Sequence, residues 1–191
     1  MKENNFFSRI KDLSTVGIAN VVPNVIGALF WFYIASLIEV DQYGEINYII
    51  AIAGMAGVIS SIGSSTTITV FTAKGEKILP AISALVLIFS IIASLIIFIF
   101  IQNFAASIYV VSFVMFGIIM SEILGKKLYR NYAIYSIIQR ILMVIFSIIF
   151  YYLIGYQGII LGIALSFLPF SFKLFHTLKN EKISFKWISI K

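Results

Sequence analysis

Residues 78–121 form a run of 44 residues without one charged side chain, and no other feature limits the possible folds as strongly. A helix needs about 20 apolar residues to cross the hydrocarbon core of a bilayer, so the run suits two crossings with a turn at Gln102-Asn103. The whole chain is 61% hydrophobic and 12% charged, whereas soluble domains are about a quarter charged. These features predict an all-α, multi-pass integral membrane protein of the cell membrane.

The other uncharged runs predict four more crossings, and the last two of these are the hardest to separate. Residues 141–172 carry no charge, and the GYQG sequence at 155–158 divides them as a turn would. We therefore predict a six-span lobe over residues 13–176, with an interfacial segment (1–12) before it and a basic cytoplasmic tail or linker (177–191) after it. The spans are expected at about 16–38, 46–72, 78–101, 104–124, 134–155 and 157–175.

The distribution of charge predicts the orientation, because basic residues favour the cytoplasmic side of a membrane. With six spans and the N-terminus inside, the inner segments hold all 14 Lys and Arg residues, and the outer loops hold three acids and no basic residue. Five spans would place the lysine-rich tail outside, against the rule. Six spans place both termini in the cytoplasm and the acidic stretch EVDQYGEINY, residues 39–48, in the first outer loop.

The chain lacks the side chains that most enzyme and metal sites use. It has no cysteine, which excludes disulfides and thiolate ligands. His176 is its only histidine, which excludes a histidine-based metal cluster or catalytic triad. We expect no enzymatic activity, no metal and no cofactor. The basic and aromatic tail is better explained by membrane lipid than by nucleic acid.

Small residues recur every four positions in the second predicted span and again in the sixth. Such a stripe lets helix backbones approach closely in lipid. Packing inside one bundle is one interpretation, and a polar wall facing a transport cavity is the other. The stripe comprises Ala53, Gly57, Ser61, Ser65 and Thr69 in the second span, and Gly158, Gly162 and Ser166 in the sixth. Packing is assigned to Gly57, Gly158 and Gly162, and substrate contact to Ser61 and Ser65.

Polar residues within the first and fifth spans are candidate functional groups. Asn20 and Asn24 flank Pro23, which removes a backbone hydrogen bond and can kink the first span as a hinge. Kinks mark binding or moving elements in transporters, but they also occur in inert spans. Arg140 falls well inside the fifth span. It either snorkels to the inner headgroups or meets a substrate phosphate, whose geometry suits its planar fork.

The order of several motifs resembles that of polysaccharide flippases. The first span contains NVIGALFWFYIASLI with Asn24, and IEVDQYGEINY follows it, where Tyr43 and Gly44 match a family signature. A Ser/Gly-rich second span leads to TAKGEKILP. The stretch EILGKKLYRNYAIYSIIQRI resembles the family's inner loop between spans four and five, and GYQGIILGIALS resembles its sixth span.

These flippases belong to the superfamily that also includes multidrug and toxin extrusion transporters and lipid II flippases. The resemblance covers the N-terminal lobe of such a transporter and implies flipping of a lipid-linked oligosaccharide or polysaccharide precursor. It also implies a second lobe, or a second copy of this chain, as a partner. Two alternatives stay open: a membrane scaffold for glycan assembly that does not transport, and a lobe of a cation-coupled drug exporter.

Overall fold

A computed structural model describes residues 3–76, 78–172 and 174 of the chain. Seven helices account for nearly all of them, and this part of the chain contains no strand, which confirms the all-α class. The helices are α1 (Glu3–Leu37), α2 (Val40–Ser61), α3 (Ser64–Ala73), α4 (Leu79–Ile101), α5 (Phe104–Gly125), α6 (Tyr129–Ile154) and α7 (Gln157–Leu165). The predicted tail 177–191 and His176 lie outside the described residues.

Five of these helices are long and apolar enough to cross a membrane: the 17–37 part of α1, and α2, α4, α5 and α6. A sixth apolar stretch, Gln157–Phe172, is shorter, and its regular helix ends at Leu165. Pro169 has no N–H to donate to the carbonyl of Leu165, which explains why α7 stops there. These five long apolar helices are compatible with a multi-pass membrane protein.

Helix α5 lies at the centre of the bundle and packs against α2, α3, α4, α6 and α7. Its residues Ala106, Val110 and Ile118 are almost completely buried, whereas the long apolar side chains of α4 are largely exposed. Exposure of apolar side chains on the outer helices is what contact with lipid requires. Helix α1 packs mainly on α6 and touches α2 only slightly.

Residues 40–48 of the acidic stretch are helical and Glu39 is the N-cap of that helix, which differs from the predicted outer loop. Only Ile38 and Glu39 separate α1 from α2, and Asp41 lies in the first turn of α2. A carboxylate is favourable there because the N-terminus of a helix carries partial positive charge. The three acids therefore stay at one end of the bundle, but they extend a helix instead of a loop.

The second predicted span is divided between α2 and α3. Ile62 and Gly63, which join the two helices, have φ angles of 45° and 67°. Glycine adopts this left-handed conformation without penalty, whereas for a β-branched residue it is a true outlier. Ile62 is 63% exposed, so its side chain makes few packing contacts that the left-handed conformation could disturb. The small residues Ser61 and Ser65 consequently lie on different helices.

Candidate functional site

Arg140 lies near the middle of α6, eleven residues after the helix begins at Tyr129. At 1.5 Å per residue, this places its Cα roughly 16 Å from the start of a helix about 39 Å long. A charge at the centre of a membrane helix costs about 2.5–3.5 kcal/mol on insertion scales. The position therefore requires a physical reason, such as a route to the headgroups or a partner for the charge.

The Arg140 guanidinium packs against α1 at Gly27. A Cβ at Gly27 would lie 3.4 Å from Cζ of Arg140, so the absence of a side chain creates this contact surface. Nη1 of Arg140 donates to Sδ of Met143 at 3.4 Å, a weak interaction, and its buried Nε has no hydrogen-bond partner. The Tyr109 side chain on α5 is close enough to interact electrostatically with the guanidinium.

The direction in which Arg140 extends argues against snorkelling to the inner headgroups. Helices α1 and α6 are parallel, and Ser136 meets the carbonyl of Ala19. Arg140, four residues after Ser136, is therefore level with Pro23, which lies four residues after Ala19. Its guanidinium reaches Gly27, one turn further toward the C-terminal ends of both helices. Those ends are opposite to the N-terminal ends, which the charge distribution predicts to face the cytoplasm.

No carboxylate balances the charge of Arg140 within the part of the chain that the structure describes. The salt bridge found there joins Lys126 to Glu122, at the C-terminal end of α5. Glu122 is almost fully buried, and Lys126 is its partner one turn later. The Arg140 guanidinium therefore keeps unused hydrogen-bonding capacity and an unneutralised charge, an arrangement that can bind an anion.

Pro23 creates a second contact between α1 and α6. Proline has no N–H, so the carbonyl of Ala19, four residues earlier, lacks its usual partner within the helix. The hydroxyl of Ser136 on α6 donates to this carbonyl at 3.2 Å, and Ala19 is fully buried. The structure shows α1 as one helix from Glu3 to Leu37, so the residue proposed as a hinge lies inside a continuous helix held at this point by α6.

Replacing Ser136 by alanine is expected to destabilise the protein by about 1–2 kcal/mol, because the buried carbonyl of Ala19 then loses its partner on α6. In the background Pro23→Ala, the Ala19 carbonyl recovers its bond within α1, and the same Ser136 substitution should cost much less. Unfolding by SDS titration from mild detergent, applied to the four proteins of this double-mutant cycle, measures the coupling. Equal costs of Ser136→Ala in both backgrounds would contradict this account.

Asn20 and Asn24 are both exposed. With 3.6 residues per turn, they lie within roughly 40° of Trp31 around the axis of α1. The Trp31 ring meets the Tyr43 ring of α2 edge-on, at 5.9 Å between centroids. The two asparagines therefore lie on a face of α1 that borders the contact of Gly27 with Arg140 on one side and α2 on the other. Since α1 packs on α6 more than on α2, this face is open.

Ser61 and Ser65 differ in their surroundings. The Ser61 hydroxyl donates to the carbonyl of Gly57 within α2, at 2.8 Å. Ser65 lines a cavity of about 440 Å³ together with Thr69, Ser121 and Tyr132, which belong to α3, α5 and α6. Gly117 on α5 also lines this cavity, and a Cβ there would meet nothing within 4 Å. The structure thus places Ser65, but not Ser61, at the lining of this open cavity.

The small residues assigned to packing occur at close helix contacts. A Cβ at Gly57 would lie 2.9 Å from the Phe113 ring, which links α2 to α5. On α7, a Cβ at Gly158 would lie 2.1 Å from the carbonyl oxygen of Phe150, and one at Gly162 would lie 2.4 Å from Cα of Ser147. Both of these contacts are with the backbone of α6, which cannot move aside as a side chain can.

Two residues near Arg140 were missed by reasoning from the sequence. Tyr109 is buried on α5, where its ring stacks with Phe113 at 5.6 Å and meets Phe167 edge-on. In an apolar run it resembles any other aromatic core residue, and no local signal separates it from its neighbours. Gly27 was noticed only as part of a motif, and a possible signal was its position four residues after Pro23.

The chain matches no protein-family model, no curated protein and no solved structure.

Proposed function

We propose that this chain is one lobe of a flippase that moves a lipid-linked oligosaccharide or polysaccharide precursor across the cell membrane. In this proposal the chain crosses the membrane six times, with both termini in the cytoplasm. The observation that carries the proposal is Arg140: a half-buried cation near the middle of α6, without a carboxylate partner among the described residues. Retaining such a charge in a membrane helix is costly, and this cost points to a function.

A phosphate or diphosphate is the anion that this site suits best. A lipid-linked sugar carries such a group between its hydrocarbon chain and its sugar, so the group must pass through the bilayer at every transfer. The guanidinium offers several N–H donors in one plane, which matches the oxygens of a phosphate. Only a few such contacts are needed, because a transporter must also release its substrate.

The open side of α1 supplies a polar route to this cation. Asn20 and Asn24 are exposed along it, and the cavity at Ser65 and Tyr132 opens nearer the inner end of α6. Exposed amides at hydrocarbon depth are costly in lipid, which favours water or a protein surface against them. We propose that a second lobe, or a second copy of this chain, faces this side and closes the route.

Binding of a polyprenyl diphosphate tests the proposal directly. The thermal stability of the purified chain in detergent is measured with polyprenyl diphosphate and with polyprenol, which has the same chain but no phosphate. Wild type should be stabilised by the diphosphate alone, and Arg140→Gln should lose this response. Arg130→Gln, which removes an exposed cation near the start of the same helix, is the matched control and should retain it. Equal responses of Arg140→Gln and wild type would refute the assignment of Arg140.

A further inference from the structure

The acidic end of the bundle contains a second polar cavity, distant from Arg140. It has a volume of about 330 Å³, and it lies between the start of α2, the turn joining α4 to α5, and the turn joining α6 to α7. Small-molecule sites commonly have volumes of about 300–1,000 Å³. This cavity is therefore large enough for a small ligand or for one unit of a larger one.

Four polar side chains from three separate segments line this cavity: Glu45, Gln102, Asn103 and Gln157. The side chains of Gln102 and Gln157 make no hydrogen bond with other described residues, so their amides keep both donors and acceptors free. Asn103 caps α5 through its side-chain oxygen, which accepts from the N–H of Ala106 at 3.0 Å, and its NH₂ group stays available.

Glu45 is held in place from across the cavity entrance. The Tyr156 hydroxyl, in the turn before α7, donates to one carboxylate oxygen of Glu45 at 3.2 Å. The other carboxylate oxygen is left to accept from a ligand. The bond also connects α2 to the turn after α6, residues that are 111 positions apart in the chain. Glu45 is exposed, and this bond orients its carboxylate at the cavity.

The chemistry of these groups selects a class of ligand. Amides that donate and accept at neighbouring positions match sugar hydroxyls, which also do both. The Phe104 ring at the rim is 68% exposed and offers an apolar surface to the C–H face of a sugar. No basic residue among those that the structure describes lines the cavity, and Glu45 lies at it, so an anionic ligand is disfavoured.

We propose that this cavity binds a neutral carbohydrate. The sugar is either part of a soluble glycan or the headgroup of a membrane glycolipid, and the recognising chemistry is the same in both. The proposal goes beyond the function proposed for Arg140 and does not depend on it, because neither phosphate binding nor transport is needed for a sugar to occupy the cavity.

Saturation-transfer NMR on the chain in phosphatidylcholine nanodiscs, which contain no sugar, tests this proposal. The soluble probes are maltotetraose, which is neutral, and tetragalacturonate, which has the same length and is acidic. Glucosyl-diacylglycerol added to the nanodiscs is the glycolipid probe. Wild type should bind maltotetraose, the glycolipid or both in a saturable manner, and should bind tetragalacturonate at least tenfold more weakly than maltotetraose.

Variants connect the signal to the cavity. Gln157→Ala should weaken neutral sugar binding several-fold. Glu45→Gln keeps the shape of the side chain but removes its negative charge. It should therefore reduce the difference in affinity between the neutral and the acidic probe. Glu39→Gln removes an acid from the same end of the bundle without touching the cavity, and should behave as wild type. The proposal is overturned if no neutral probe shows saturable binding, if the acidic probe binds as well as the neutral one, or if Gln157→Ala and Glu45→Gln leave binding unchanged.

Discussion

In the proposed flippase, replacing Arg140 by alanine is expected to lower the rate of flipping at least about tenfold, because one or two charge-assisted hydrogen bonds of about 1.5–3 kcal/mol each are lost. Arg140→Lys should retain part of the rate, since it keeps the charge but not the planar fork. The measurement follows a fluorescent polyprenyl-diphosphate oligosaccharide in proteoliposomes, where dithionite destroys only the fluorophore in the outer leaflet. The protein is isolated from its own membrane in mild detergent, so that a bound partner is kept.

Stability separates this effect from a folding defect. Arg140 carries a charge without a carboxylate partner in the described bundle. Arg140→Ala removes the unfavourable free energy of holding this charge there, so the free energy of unfolding should be unchanged or higher. Loss of transport together with retained stability and expression is the expected combination. Arg130→Gln provides the charge-matched control for transport. Unchanged flipping by a well-folded Arg140→Ala protein would remove the residue from the mechanism.

Replacing Gly162 by alanine is expected to destabilise the protein by about 1–3 kcal/mol, toward the upper end of the range for overpacking. The added Cβ would lie 2.4 Å from both N and Cα of Ser147, so relief requires α6 and α7 to move apart. Such a movement also strains two bonds between these helices: Gln139 Nε2 to Ser166 Oγ at 3.0 Å, and Ser147 Oγ to the carbonyl of Ile159 at 3.3 Å.

SDS titration of the purified protein measures this loss, and Gly117 supplies the comparison. A Cβ at Gly117 meets nothing within 4 Å in the middle of α5, so Gly117→Ala should cost nothing and gain helix propensity. Gly158→Ala should act as Gly162→Ala does, because its Cβ would approach a backbone carbonyl. If Gly162→Ala were as stable as Gly117→Ala, the close approach of α6 and α7 would be disproved.

Local sequence signals located the turns that consist of polar residues and glycine. Asn103 begins α5 and its side chain caps the helix, as expected of asparagine after a polar turn. The GYQG sequence lies where α6 ends and α7 begins, with Gly155 at a φ of 80°. Such positions are predictable because the residues themselves dictate the local backbone. The run of apolar residues was likewise enough to establish helices of spanning length.

The surroundings of Arg140 could not be predicted, because they depend on which helices become neighbours. Hydropathy places Arg140 within a span but does not indicate that it meets Gly27, 113 residues earlier. The left-handed conformation of Ile62 could not be predicted from the sequence either, since isoleucine normally avoids positive φ. The acidic stretch was assigned to a loop by its charge, and its helical start became evident only from the close connection between α1 and α2.

The pairing of α1 with α6 has a consequence for the order of biogenesis. Helix α1 meets its main neighbour, α6, only after the 91 residues that separate them (38–128) have been synthesised. Until then, the carbonyl of Ala19 lacks the Ser136 hydroxyl, and the surface of α1 at Gly27 lacks the Arg140 guanidinium that covers it in the folded bundle. We expect the assembly of these two helices to be the slowest step of maturation and the stage most dependent on insertion chaperones.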